Sequence, residues 1–147
     1  MESISFVAKA ETTIKATISK VWDAFVNPVI IKKYMFGTEV SSSWFEGSKI
    51  IWKGEWEGKP YEDKGVILKL HPPTTFQFSH FSPLSGLRDS PENYHTVTIQ
   101  LAEKANGITV VTLTQDNNPT EKEKDESTKN WSMMLESLKK LLERNGL

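Results

Sequence analysis

The chain carries three histidines, His71, His80 and His95, and no cysteine, and this limits its chemistry. Without cysteine there is no disulfide, no thiol nucleophile and no Cys-ligated zinc. The histidines have no partner at helical i, i+4 spacing and no carboxylate at a metal-motif spacing, so neither a metal site nor a cofactor is expected. His80 stands out because it shares strand parity with Phe76 and Phe78. It reads either as a polar group inside an apolar pocket, able to bond a ligand or move a proton, or as an imidazole satisfied by a backbone carbonyl. Among the acids, Glu55 falls opposite in parity to Trp52 and Trp56 and is expected to face water. Glu57, Glu62 and Asp63 flank a turn, where solvated carboxylates are normal. A hydrolytic acid pair needs convergent inward geometry and is not expected. None of the serines, Ser41 to Ser43, Ser79, Ser82 or Ser85, sits in a Gly-x-Ser-x-Gly elbow. The glycines form no phosphate-binding signature.

The aromatic residues give a stronger signal. Five Trp, seven Phe and three Tyr are present, several of them at in-phase positions. Trp22, Phe25, Trp52, Trp56, Phe76, Phe78 and Trp131 converge if a sheet packs against a terminal helix. Tyr34, Tyr61 and Tyr94 add hydroxyls that could fix a ligand's orientation, and Met134, Leu135 and Leu138 lie on the same helix face as Trp131. All of these except Tyr94, together with His80, form the expected ligand-binding set. Aromatics also fill ordinary cores, so either role is open for any one of them. Burying about 300 Å² of apolar ligand surface would contribute roughly 7 kcal/mol before ordering costs, enough for micromolar binding without catalytic apparatus.

The elements that must position these residues follow from periodicity. Residues 4–14 alternate as a strand. Thr17 or Ser19 caps a helix that presents Val21, Trp22 and Phe25 on one face. Asn27-Pro28 marks a joint before a second short helix over 29–35. Strands follow at 49–56 and 61–70, the latter with Val66, Leu68 and Leu70 in phase, joined by the compact turn Glu57-Gly58-Lys59-Pro60. Pro72-Pro73 forces a turn before a strand over 75–81. Residues 82–94 read as a long loop, a candidate gate. A hairpin over 95–116 turns at Asn106-Gly107. In the last segment Asn118 is the expected cap, with Pro119 first in the helix and Glu121 as the capping-box acid. Trp131, Met134, Leu135, Leu138, Leu141 and Leu142 trace one apolar stripe, and Gly146 is the expected stop. The order is a strand, two short helices, five or six antiparallel strands and a long helix, an α+β class.

At 147 residues the expectation is one domain over 1–147. The net charge of -1, with Lys and Arg spread along the chain, argues against nucleic acid and against a polybasic membrane anchor. The sequence shows no signal-peptide pattern and no stretch of membrane-spanning length, so cytoplasm is the default location.

Several strings in order resemble the activator of heat-shock protein 90 ATPase homologue family of the START-like (SRPBCC) superfamily. They are Val21-Trp22-Asp23-Ala24-Phe25 with Asn27-Pro28, the strand-turn-strand from Gly47 to Gly65, Leu70-His71-Pro72-Pro73 before Phe76-Gln77-Phe78, Val111 to Gln115, and Asn130-Trp131 through Leu142. The resemblance covers nearly the whole chain. Where the family often carries Trp-Trp after the second helix, this chain reads Lys32-Lys33-Tyr34-Met35-Phe36-Gly37, which keeps aromatic character. The resemblance implies a helix-grip fold, a seven-stranded curved antiparallel sheet around a long C-terminal helix with two short helices closing one end. Its superfamily binds lipids, sterols, polyketides and plant phenolics, some members are cyclases or aromatases, and eukaryotic relatives stimulate a chaperone ATPase.

The expected function is binding of a small hydrophobic ligand, lipid-like or aromatic, rather than turnover. The alternatives are a cyclase- or hydrolase-like enzyme using His80 with a tyrosine, and a stress-related co-chaperone with a chaperone partner. A monomer is the expected state, with no sequence feature that indicates or excludes a homodimer.

Overall fold

A computed structural model describes residues 6–144, apart from the side chain of Trp56. The start of the first strand at Ile4, the Gly146 stop and the Trp56 side chain lie outside the described residues. Strand β1 (Phe6–Ile14) leads into helices α1 (Ile18–Val26) and α2 (Pro28–Tyr34). Then come β2 (Glu39–Ser42), β3 (Lys49–Trp56), β4 (Lys59–His71), β5 (Thr75–His80), β6 (His95–Ala105), β7 (Ile108–Asn118) and helix α3 (Glu121–Arg144). Among the described residues the seven strands form one antiparallel sheet in the order β1-β7-β6-β5-β4-β3-β2. The chain therefore crosses from one sheet edge to the other through α1 and α2, and α3 packs along β1 and β7. This is the helix-grip arrangement. No helix among the described residues is long and apolar enough to cross a membrane.

Local chemistry sets the element boundaries. The Thr17 side chain caps α1 at the Lys20 N–H, and Asn27 caps α2 at the Val29 N–H with Pro28 in the first turn. The cap of α3 is Thr120, not Asn118: its hydroxyl accepts from the Glu123 N–H at 3.1 Å and donates to the Glu123 carboxylate. Asn118 is buried and bonds instead to the Phe6 and Gln115 carbonyls, tying β1 to the end of β7. The buried stripe of α3 is Met134, Leu135, Leu138 and Leu142, with Trp131 and Leu141 partly buried. At the far end of α3, Lys139 donates to the Thr13 carbonyl and Glu143 accepts from the Lys15 N–H, locking the helix to β1.

The β4 phase differs from the sequence expectation. Its inward face is Tyr61, Asp63, Gly65 and Ile67, because β4 begins at Lys59 directly after a two-residue turn at Glu57-Gly58. A register shift between Ile67 and Lys69 then switches parity, so Leu70 packs inward while Leu68 is 43% exposed. Strand β2 was not expected, since Glu-Val-Ser-Ser carries little β signal; it pairs with β3 at the sheet edge. The 82–94 segment is not structureless. It holds two short 3-10 turns and is pinned by Lys64–Asp89, Tyr94–Asp89 and Asn117 to the Glu92 and Tyr94 carbonyls.

Candidate functional site

An inner cavity of about 90 Å³ lies between β3, β4 and β5 on one side and α2 and α3 on the other. Its apolar wall is a chain of tilted rings. Trp52 and Phe78 have centroids 5.1 Å apart, Phe78 and Phe76 5.0 Å, and Phe76 and Trp44 6.2 Å. Trp44 was not on the expected list. It sits at φ 58, a left-handed backbone that periodicity cannot reveal, held by its N–H to the Ser42 hydroxyl. Trp131 of α3 closes the opposite side, its indole N–H donating to Gln115 Oε1 at 2.6 Å.

Polar groups enter this wall at two places. His80 Nε2 lies 2.8 Å from Asp63 Oδ2, with side-chain exposures of 22% and 16%. The carboxylate accepts, so Nε2 carries the proton, and in the neutral ring Nδ1 is a bare acceptor. Both His80 Nδ1 and Asp63 Oδ1 are buried and have no hydrogen-bond partner among the described residues. His80 is thus satisfied on one nitrogen by a carboxylate, not by a backbone carbonyl. Asp63 is no solvated turn residue but the fifth residue of β4. Its inward parity with Ile67 was the signal available in the sequence.

Gly65 makes the meeting possible. A Cβ on Gly65 would lie 1.7 Å from the Ser79 carbonyl oxygen, so only glycine lets β4 pass this close to β5. Lys64 and Phe81 exchange both backbone bonds, and the Val66 N–H is taken by the Ser79 hydroxyl. The two strands are locked on either side of Gly65, which fixes Asp63 against His80.

Tyr61 is the second polar feature. Its hydroxyl lies 2.6 Å from Thr38 Oγ1, which donates to the Met35 carbonyl at 2.7 Å. Tyr61 is therefore the donor to Thr38, leaving its lone pairs toward the cavity. Gly54, paired with Tyr61 across β3 and β4, gives the phenol room: a Cβ there would meet its oxygen at 2.7 Å. The other tyrosines are engaged elsewhere. Tyr34 donates to the Ala24 carbonyl at 2.7 Å, and burial pushes its phenol far above the ordinary range, so it stays neutral. Tyr94 bonds Asp89 and stacks on Phe81, away from the cavity.

The inner cavity shares Met35, Thr38, Tyr61, His80, Trp131 and Met134 with an outer cleft of about 650 Å³, open to solvent. Phe36, Glu55, His95, Gln115 and Met133 extend the cleft. His95 stacks on His80 with centroids 6.4 Å apart and donates from Nδ1 to the Asp116 carbonyl at 2.9 Å. No residue of the 82–94 segment lines either space; it borders an adjoining polar groove that shares His95, Ser127 and Asn130 with the cleft.

Residues 15–143 match the family described as Activator of Hsp90 ATPase homolog 1-like protein. The chain belongs to that family. A protein from Cytophaga hutchinsonii, known from its solution structure, is 58% identical over 99% of this chain and 98% of its own, with a TM-score of 0.85. The Aha1 dimer from Colwellia psychrerythraea is 24% identical over 91% of this chain and 93% of that one, TM-score 0.69. CalU16 from Micromonospora echinospora is 19% identical over 92% and 84%, TM-score 0.69. The last two share the fold. A search of curated proteins found no match.

Within this family member the structure brings most of the expected site residues together. Phe25, Tyr34, Trp52, Tyr61 and Phe76 border the inner cavity, as do Phe78, His80, Trp131 and Met134. Trp22, Leu135 and Leu138 do not; they pack in the core, Trp22 edge-on to Phe76. Sequence reading missed Asp63, Thr38, Trp44 and Met35. No group of three or more His, Asp or Glu side chains among the described residues is placed to hold a metal ion.

Proposed function

We propose that this chain binds a small hydrophobic molecule whose polar end enters the inner cavity while its apolar body lies in the outer cleft. The observation that carries this reading is an aromatic wall of Trp52, Phe76, Phe78 and Trp131 with the half-buried Asp63–His80 pair and the Tyr61 phenol set into it. Size divides the work. The inner space of about 90 Å³ equals roughly three water volumes, whereas the outer cleft of about 650 Å³ falls within the range of small-molecule sites. The methionines Met35, Met133 and Met134 in the cleft give an adaptable apolar surface. Native mass spectrometry of freshly purified protein and Trp fluorescence titration with lipid-like and aromatic compounds test this. Saturable quenching in the micromolar range supports it; no response from any class ends it.

The Asp63–His80 contact favours one further reading, proton transfer. A carboxylate on Nε2 that stabilises the imidazolium of a cavity-lining histidine is the arrangement of a general base. Exchange of the α-protons of an aryl ketone into deuterated water, followed by NMR, checks it. A rate no faster than buffer removes the reading and leaves binding intact.

A further inference from the structure

The polar character of the cavity is one-sided. The Asp63 carboxylate and the Tyr61 oxygen, whose own proton goes to Thr38, present acceptors at the inner cavity. The donors nearby are engaged within the protein: His80 Nε2 on Asp63, Trp131 Nε1 on Gln115, Thr38 on Met35. Charge follows the same sign. The chain holds 18 Lys and Arg, yet none lines the inner cavity, the outer cleft or the groove beside it. Acids line all three: Asp63 inside, Glu55 in the cleft, and Glu92, Glu123 and Glu126 along the groove. Field lines from acids around a low-dielectric mouth concentrate cations there. Finally, the rings of Trp52, Phe78 and Trp131 line the same space, and a cation placed over an aromatic ring is attracted to it.

We propose that the ligand is a cation, a hydrophobic primary or secondary amine whose ammonium group sits in the inner cavity between Asp63, His80 and Tyr61. This assignment rests on the cavity-binding reading and narrows it. The Asp63 carboxylate balances its charge, and the Tyr61 oxygen can accept a second N–H. An ammonium fits a space of about 90 Å³, and its apolar substituent continues into the cleft. A fatty acid would instead bring a carboxylate against Asp63 with no donor to receive it.

The test uses three probes that share one body: naphthylethylamine, naphthylethanol and naphthylacetic acid, titrated by calorimetry at neutral pH into the whole chain. The amine is expected to bind about tenfold tighter than the alcohol, and the acid weakest of the three. Asp63→Asn is expected to weaken the amine about tenfold more than it weakens the alcohol. The wild-type ratio of amine to alcohol needs no variant, so it decides even if Asp63→Asn does not fold. An alcohol or acid that binds as well as the amine overturns the cation assignment and leaves hydrophobic binding standing. An Asp63→Asn variant that weakens all three alike also overturns it. If none of the three binds, both readings fall for aromatic ligands.

Discussion

The two halves of the sheet are built to different rules. In β6 and β7, Val97, Ile99 and Leu101 and then Thr109, Val111, Leu113 and Gln115 alternate inward without interruption. That surface meets the core, where Ile14, Leu135 and Leu138 are fully buried. In β4 the inward face carries a phenol, a carboxylate and a glycine before it reaches Ile67, and then a register shift breaks the phase. Regular alternation fills the interior with side chains. The interrupted half leaves space and places polar atoms in it. The difference shows that the packed part and the polar, cavity-bordering part of this fold share one sheet but not one sequence pattern.

The comparison breaks most sharply at Gly65. Gly65→Ala forces a Cβ into the Ser79 carbonyl, and neither strand can yield without losing the bonds that lock Lys64 to Phe81. A loss of about 4 kcal/mol is expected, read by chemical denaturation, together with loss of the His80 ring shift that reports Asp63 by NMR. In the regular half, Leu138→Ala leaves a void in a fully packed region and is expected to cost about 3 kcal/mol. Its ligand affinity should stay unchanged, because Leu138 does not border the cavity. Equal damage to stability and binding from both variants would erase the distinction between the halves.

The Asp63–His80 pair should behave in the opposite sense. Replacing both residues with apolar ones, Asp63→Leu with His80→Phe, removes a buried charge and two orphaned atoms beside Trp52. The double variant is expected to be more stable by about 1 kcal/mol and to lose its preference for a polar ligand end. A clear loss of stability would show that the pair serves the fold. The smallest effect concerns the 82–94 segment. Hydrogen bonds from Lys64 and then Tyr94 hold the Asp89 carboxyl below the usual carboxylate range. A depressed value in the folded state means the contribution is complete above the ordinary range and fades as pH falls through the lowered value. Amide protection in 82–94, relative to the intrinsic exchange rate at each pH, should therefore fall in acid, and Asp89→Asn should flatten that dependence while leaving the cavity residues unaffected.

Most of the fold was legible because it rests on period and punctuation. The α3 stripe, the Asn27-Pro28 joint and the β6–β7 hairpin each follow from a local rule. The site was legible only where it is apolar. Trp52, Phe76 and Phe78 announce themselves by parity, but Asp63 was hidden by its distance from the turn, which depends on where β4 begins. The Thr120 cap was missed because Asn118, two residues earlier, has the same chemistry and is used for a different junction. Trp44 and Thr38 lie outside any regular period, and only the folded chain brings them to the cavity wall.

The way the small inner chamber opens into the wide cleft has a kinetic consequence. A ligand held as proposed would reach the inner chamber from the cleft past Met35, Tyr61 and Trp131, which line both spaces. If no strand or helix has to move on that path, a micromolar complex should exchange within milliseconds. In an NMR titration the cavity resonances would move continuously with added compound, as expected of a carrier that samples its surroundings rather than one that sequesters its cargo.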